Sequence, residues 1–189
     1  MKSERKETKR AIFHIVLAFI IVLIYSLFGR RFSLTLFITT LFAGFILSLV
    51  SRKYKVPIIY RLLEIFERGN AALPGIGAFF YLLSSTICII MFPENIAFAS
   101  ILFLGVGDGL ATLVGQNGKI NYFHSRKTLE GSISGLAGGI LTTIYFIHPR
   151  TAIIAGIITM VFESFDLPFF LDDNLIIPLL FGIISYLLM

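Results

Sequence analysis

The sequence predicts an all-α fold: one polytopic membrane helical bundle of about seven transmembrane helices, with a cytoplasmic N-terminus, using residues 1–189 as a single domain. Three observations predict it. Hydrophobic residues make up 57% of the chain and charged residues only 14%, with a mean hydropathy of +0.90, which is not the balance of a soluble domain. The apolar residues are collected into runs, several of them long enough to cross a bilayer. Thirteen of the sixteen Lys and Arg fall on one side when the runs are threaded back and forth, leaving Arg30, Arg31 and Arg150 opposite. Lys and Arg in short loops mark the cytoplasmic side. The same bias accounts for the net charge of +5, so no nucleic-acid partner is expected.

The candidate spans are 11–28, 34–50, 75–92, 96–115, 132–148, 151–164 and 175–188. The sixth is short for a crossing. Residues 1–10 form a basic cytoplasmic tail. The first apolar run is long for a secretory signal and ends in Gly29-Arg30-Arg31 without a small-residue cleavage site, so it reads as a retained span. Segment 51–74 is a cytoplasmic interfacial helix, with Pro57 near its start and Gly69 past its end. Ile58, Ile59, Leu62, Leu63 and Phe66 line one side, and Arg61, Glu64, Glu67 and Arg68 the other. It either seals the bundle or flanks a lipid entrance. The short turn Pro93-Glu94-Asn95 makes the third and fourth spans antiparallel neighbours. Cys88 is the single cysteine, which excludes an intrachain disulfide, and three scattered His give no zinc motif.

The chemistry gathers on the cytoplasmic side. Asp108 sits in Gly105-Val-Gly107-Asp-Gly109, inside an apolar run, and an acidic group at membrane depth is a functional candidate by default. Two geometries are open. In one, a continuous helix puts Asp108, Thr112 and Gly115 on one face. In the other, the helix breaks at Gly105–Gly107 and restarts with Asp108 as its N-cap. The loop 116–131 brings Lys119, Arg126, Lys127, Thr128 and Glu130. Thr128 or Ser132 caps the fifth span, with Lys127 beside a helix start, where phosphates bind well. Gly135 and Gly139 read as helix-packing positions, and Gly131 as one that additionally clears space for a ligand. Glu7, Arg10 and His14 share a helix face at the mouth of the first span. Glu163, Asp166, Asp173 and Asn174 are acidic or polar groups on the otherwise basic side, which suits Mg²⁺ held together with substrate phosphates. Asp173-Asn174 also reads as a cap of the seventh span.

Taken together, these residues resemble the CTP-dependent polyprenol and lipid kinase family, which includes dolichol kinase, phytol kinase and CTP-dependent diacylglycerol kinase. The resemblance lies in Glu7-x-x-Arg10-x-x-x-His14, in Gly107-Asp108-Gly109-Leu-Ala111-x-x-x-Gly115 with Gly118-Lys119, in Lys127-Thr128-x-Glu130-Gly131-Ser132, and in Glu163 with Asp173-Asn174-x-x-x-Pro178. Ala11 departs from it, standing where the family usually has Lys. The resemblance implies an integral membrane enzyme, its active site facing the cytoplasm. It would transfer the γ-phosphoryl group of CTP, or another nucleoside triphosphate, to a membrane lipid alcohol such as a polyprenol. Asp108, Lys127, Glu130 and His14 become the catalytic candidates. Arg10, Gly107, Gly109, Gly115, Lys119, Lys127, Thr128, Gly131 and Ser132 become the nucleotide and phosphate candidates. Asp108, Glu163, Asp173 and Asn174 become the Mg²⁺ candidates, and which carboxylate takes the proton stays open. Two other readings share parts of the pattern: a CTP-dependent cytidylyltransferase making a CDP-lipid, and a small membrane transporter.

Overall fold

The computed structural model describes residues 2–53, 75–121, 127–164 and 172–189. Most of the predicted interfacial helix 51–74, together with Arg126 and Asp166, lies outside them. Among the described residues the chain is helical, with one isolated antiparallel bridge between Asn121 and Thr128. Helix α1 runs Lys2–Lys53, α2 Ile76–Met91 and α3 Glu94–Leu102. A π-helical segment, Phe103–Asp108, continues α3 into α4, Gly109–Gly115. Then come α5 Leu129–Thr143, α6 Pro149–Glu163 and α7 Asp173–Leu187.

The first two predicted spans both lie in α1, which is interrupted at Gly29 (φ 74°, ψ 173°), a backbone conformation that favours glycine. The chain doubles back there. Tyr81 reaches the carbonyl of His14 at 3.0 Å, Arg30 reaches that of Ile90 at 2.5 Å, and the rings of Phe45 and Phe79 lie 6.1 Å apart. Along α2, therefore, one end is level with residues 14 and 45 and the other with residue 30. Residues 2–10, expected as a tail, are instead the first turns of α1. Lys, Glu and Arg are good helix formers, and nothing before Gly29 breaks the helix.

Two helices, Lys6–Val50 and Glu94–Gly115, are long and apolar enough to cross a membrane, and Ile76–Met91 and Asp173–Leu187 are apolar but shorter. Helix α6 is 15 residues long and is built inside out. It buries Thr151, Ala152, Ala155, Gly156 and Thr159 and exposes Ile153, Ile154, Ile157, Ile158 and Val161. Small and polar groups inward with aliphatic groups outward is the pattern of a helix whose outer face meets hydrocarbon. Phe103 and Phe181 stack at 4.3 Å in the centre of the core, with Tyr81, Ile21, Ile96 and Leu104 fully buried around them.

Of the two geometries the sequence left open, the helix break at Gly105–Gly107 does not occur. Asp108 has helical dihedrals (φ −63°, ψ −38°) and caps nothing. The rod from Glu94 to Gly115 stays continuous by widening into π geometry, which concentrates at functional sites. Glycines make this possible by letting neighbours close in from two sides. A Cβ on Gly105 would lie 2.3 Å from Ala18 Cβ, and one on Gly109 would lie 2.5 Å from Ile15, so both positions face α1. Helix α5 crosses the other side on its own glycine row. A Cβ on Gly131 would meet Ala111 O at 2.7 Å, on Gly135 Gly107 O at 2.6 Å, and on Gly139 the Phe103 ring at 2.6 Å. Gly135 and Gly139 thus pack helices as expected, and Gly131 does the same. The face turned to α5 is Gly107–Ala111–Gly115; Asp108 turns toward α1 rather than sharing a face with Gly115.

This packing gives a stability prediction. Gly135→Val places methyl groups against backbone and should destabilise the protein by about 1–3 kcal/mol, read as a lowered melting temperature in detergent. Gly44→Ala, with nothing within 4 Å of the new Cβ, should leave the melt unchanged or slightly raised.

Candidate functional site

The polar groups collect at one end of the bundle. The N-terminal turns of α1, α2, α5 and α7 meet the C-terminal ends of α4 and α6 there. Arg30, Glu94 and Met189 lie at the other end.

Two clusters make up the site. In the first, His14 Nδ1 faces Asp108 Oδ2 at 3.5 Å, both side chains largely buried. Tyr81 completes it, its ring 4.9 Å from the His14 imidazole and its hydroxyl donating to the His14 carbonyl. In the second, the Lys127 ammonium lies between two carboxylates, 3.2 Å from Glu163 Oε1 and 3.3 Å from Asp173 Oδ2, and also donates to the Glu163 carbonyl. The two clusters feel one another, since the Asp108 carboxylate lies in the fields of both Lys127 and Arg10. Burial pulls the Lys127 ammonium toward its neutral form, but Glu163 and Asp173 outweigh that and hold its pKa above the ordinary lysine range.

The remaining candidates sort by what they touch. Arg10 pairs with Glu7 at 3.0 Å, one turn before His14. Thr8 donates to Gln116 Oε1 at 3.1 Å, tying α1 to the end of α4. Thr128 is the N-cap of α5, its hydroxyl accepting from Gly131 N at 3.3 Å, while Ser132 is in the first turn and its N–H serves the Thr128 carbonyl. Leu129 N donates to Ile120 O. These N–H groups, at and beside the phosphate candidates Thr128, Gly131 and Ser132, are therefore engaged within the protein. Glu130 accepts from the N–H groups of Lys119 at 2.9 Å and Ile120 at 3.3 Å, which fastens the preceding loop to α5. The bond from Lys119 N–H, then one from its own N–H, holds the Glu130 carboxyl below the usual range. The Lys119 side chain is exposed.

Gly107 and Gly109 are buried, with α5 and α1 against their Cα atoms, so their visible part is helix approach. Gly115 and Gly118 admit the Thr128 side chain. At α7 the cap is Asp172, which accepts from Asn174 N at 2.9 Å, rather than Asp173 or Asn174. That frees Asp173 for Lys127, while the Asn174 side chain lies near Gly77 at the start of α2. Among the described residues no three His, Cys, Asp or Glu side chains stand close enough together to cage an ion. Tyr81 and the Thr8–Gln116 bond carried no sequence signal beyond isolated polar groups near apolar runs.

An uncharacterised protein of Methanocaldococcus jannaschii is 27% identical over 180 residues, covering 95% of this chain and 92% of its own. CTP-dependent diacylglycerol kinase 1 of Schizosaccharomyces pombe is 30% identical over 132 residues, covering 60% of each chain. Probable phytol kinase 3, chloroplastic, of Glycine max is 31% identical over 121 residues, 54% of this chain and 38% of its own. The match thus takes in less than two thirds of either kinase. No family model and no solved structure matches the chain. The chain is a distant relative of two lipid kinases.

Two predictions follow from the Lys127 cluster. Lys127 is 26% exposed and Glu163 only 7%, so Lys127→Met leaves a buried carboxylate without its cation. The cost should fall at the low end of the roughly 3–5 kcal/mol for breaking a buried pair, and adding Glu163→Gln should recover part of it in a double-mutant melting cycle. A raised lysine pKa means its stabilisation is complete below the unfolded value of about 10.4 and is lost only as pH climbs past the folded one. The melting difference between wild type and Lys127→Met should therefore not shrink through loss of the lysine's charge between about pH 7 and 9.

Proposed function

We propose that the protein is an integral membrane lipid kinase. It moves the γ-phosphoryl group of CTP, or another nucleoside triphosphate, to a membrane lipid alcohol of the polyprenol class, at a site facing the cytoplasm. The observation that carries this reading is the gathering of Asp108, His14, Lys127, Glu163 and Asp173 at one end of a bundle whose outer surface is aliphatic. Kinship with a CTP-dependent diacylglycerol kinase and a phytol kinase supports the reaction class.

Phosphoryl transfer asks a protein for positioning and charge neutralisation more than covalent chemistry. The aliphatic surface keeps the acceptor's tail in the bilayer and brings its hydroxyl to the polar end. Asp108 accepts the hydroxyl proton, with His14 Nδ1 behind it. The hydroxyl oxygen forms its bond to the γ-phosphorus as the bond from that phosphorus to the β,γ-bridging oxygen breaks, and the nucleoside diphosphate leaves. Lys127, Arg10 and Lys119 supply the positive charge that faces the phosphates. Glu163 and Asp173 fit Mg²⁺: they already share one cation, and Mg²⁺ asks for only one or two carboxylates beside phosphate oxygens and water. When bound, Mg²⁺ neutralises the triphosphate and polarises its oxygens.

The test is thin-layer separation of lipid products from purified protein with γ-labelled CTP, GTP, UTP and ATP, against a panel of prenols and diacylglycerol. A kinase places the label on the lipid; a cytidylyltransferase would release it as pyrophosphate. Asp108→Asn should lower kcat by on the order of 100-fold or more, the range of general-base losses. A folded Asp108→Asn protein with wild-type turnover would remove the assignment.

A further inference from the structure

A buried junction joins α1, α2 and the π segment beside the reacting carboxylate, and Tyr81 is its centre. Tyr81 is fully buried. It holds residue 14 at two points: the hydroxyl donates to the His14 backbone carbonyl at 3.0 Å, and the ring lies 4.9 Å from the imidazole, tilted by 47°. The Nδ1 of that imidazole faces Asp108 Oδ2 at 3.5 Å. Three residues before Asp108, Gly105 leaves the room this needs. A Cβ there would stand 2.6 Å from the Tyr81 hydroxyl, 2.3 Å from Ala18 Cβ and 3.0 Å from the His14 carbonyl. The phenol thus fixes where α1 lies against the π segment, and with it the plane the imidazole presents to Asp108. Nδ1 itself has no partner within hydrogen-bonding geometry, so the ring's pose rests on how its backbone and its face are held.

We propose that Tyr81 is a positioning residue of the site. It orients His14 against Asp108, so that the carboxylate meets the acceptor hydroxyl in one fixed pose. This rests on the lipid kinase reading above, in which Asp108 takes the hydroxyl proton. Tyr81 itself is fully buried and acts only through His14.

The experiment is Tyr81→Phe, which removes one oxygen and keeps the ring, in purified full-length protein reconstituted in nanodiscs. Turnover should fall about tenfold, as expected for a slightly misplaced catalytic group, with KM for the nucleotide unchanged. A purely structural part would instead lower the amount of folded protein without altering turnover per folded molecule. In parallel, histidine-ring NMR signals of ring-labelled protein are recorded at one pH, with His14 assigned through His14→Gln. The His14 signal should move in both Tyr81→Phe and Asp108→Asn. Unchanged kcat in folded Tyr81→Phe, or an unmoved His14 signal, overturns the proposal. If wild-type protein phosphorylates no lipid, the kinase reading fails, while the ring signals still decide whether Tyr81 sets the His14–Asp108 contact. Should Tyr81→Phe not fold, Ala18→Gly combined with Gly105→Ala moves the methyl from one side of the junction to the other. That relieves the closest clash and leaves the new Cβ pressing on the Tyr81 hydroxyl. The same drop in kcat and the same signal change are expected, and their absence counts against the proposal.

Discussion

The arrangement depends most on one ammonium group held between two carboxylates. Glu163 ends α6 and Asp173 begins α7, so without Lys127 two negative groups would face each other where these helices meet. Lys127 also stands just before the N-cap of α5, which makes its charge the point where three helices are pinned together. A partly buried ion pair of this kind contributes little net stability compared with apolar packing of equal volume, but removing one member is costly. That asymmetry suits a site rather than a scaffold.

Around that point the bundle is assembled by removing side chains rather than adding them. The rod containing Asp108 is gripped by α1 on Gly105 and Gly109 and by α5 against Gly107. Helices packed this closely gain dispersion contacts without relying on water exclusion, the available currency between helices whose outer faces are aliphatic. The π turn fits the same logic. It offsets the rod so that Gly107 meets α5 while the next residue, Asp108, turns to His14.

Much of this was legible in the sequence, for physical reasons that differ from place to place. The helical class followed from composition and from the length of the apolar runs. The reversal after the first run was marked by Gly29-Arg30-Arg31, and the glycine at that point supplies the turn. The site's main members could be named because charge in an apolar run is costly and so stands out: Asp108 and Glu163 are such cases. What the sequence concealed was direction. A Gly-x-Gly-x-Gly run reads equally as a phosphate loop, a helix break or a packing surface, and only the neighbours at Gly105, Gly107 and Gly109 decide for packing. Capping was misread by one residue at α7, because Asp172 and Asp173 are chemically alike and only backbone geometry tells the cap from the ion-pair partner. Tyr81 was invisible, since a phenol in an apolar run is ordinary until its hydroxyl is seen to reach another helix.

The connections between helices are unevenly shared between the two ends. Opposite the polar cluster, the chain turns on Gly29 alone, on Phe92-Pro93, and on the few residues from Ile144 to His148. Every long connection, 54–75, 116–128 and 164–172, joins helices at the end that carries Asp108 and Lys127. The helix termini that these three connections join therefore all lie at the end of the candidate site. At the opposite end the turns are so short that they set the spacing of the helices they join.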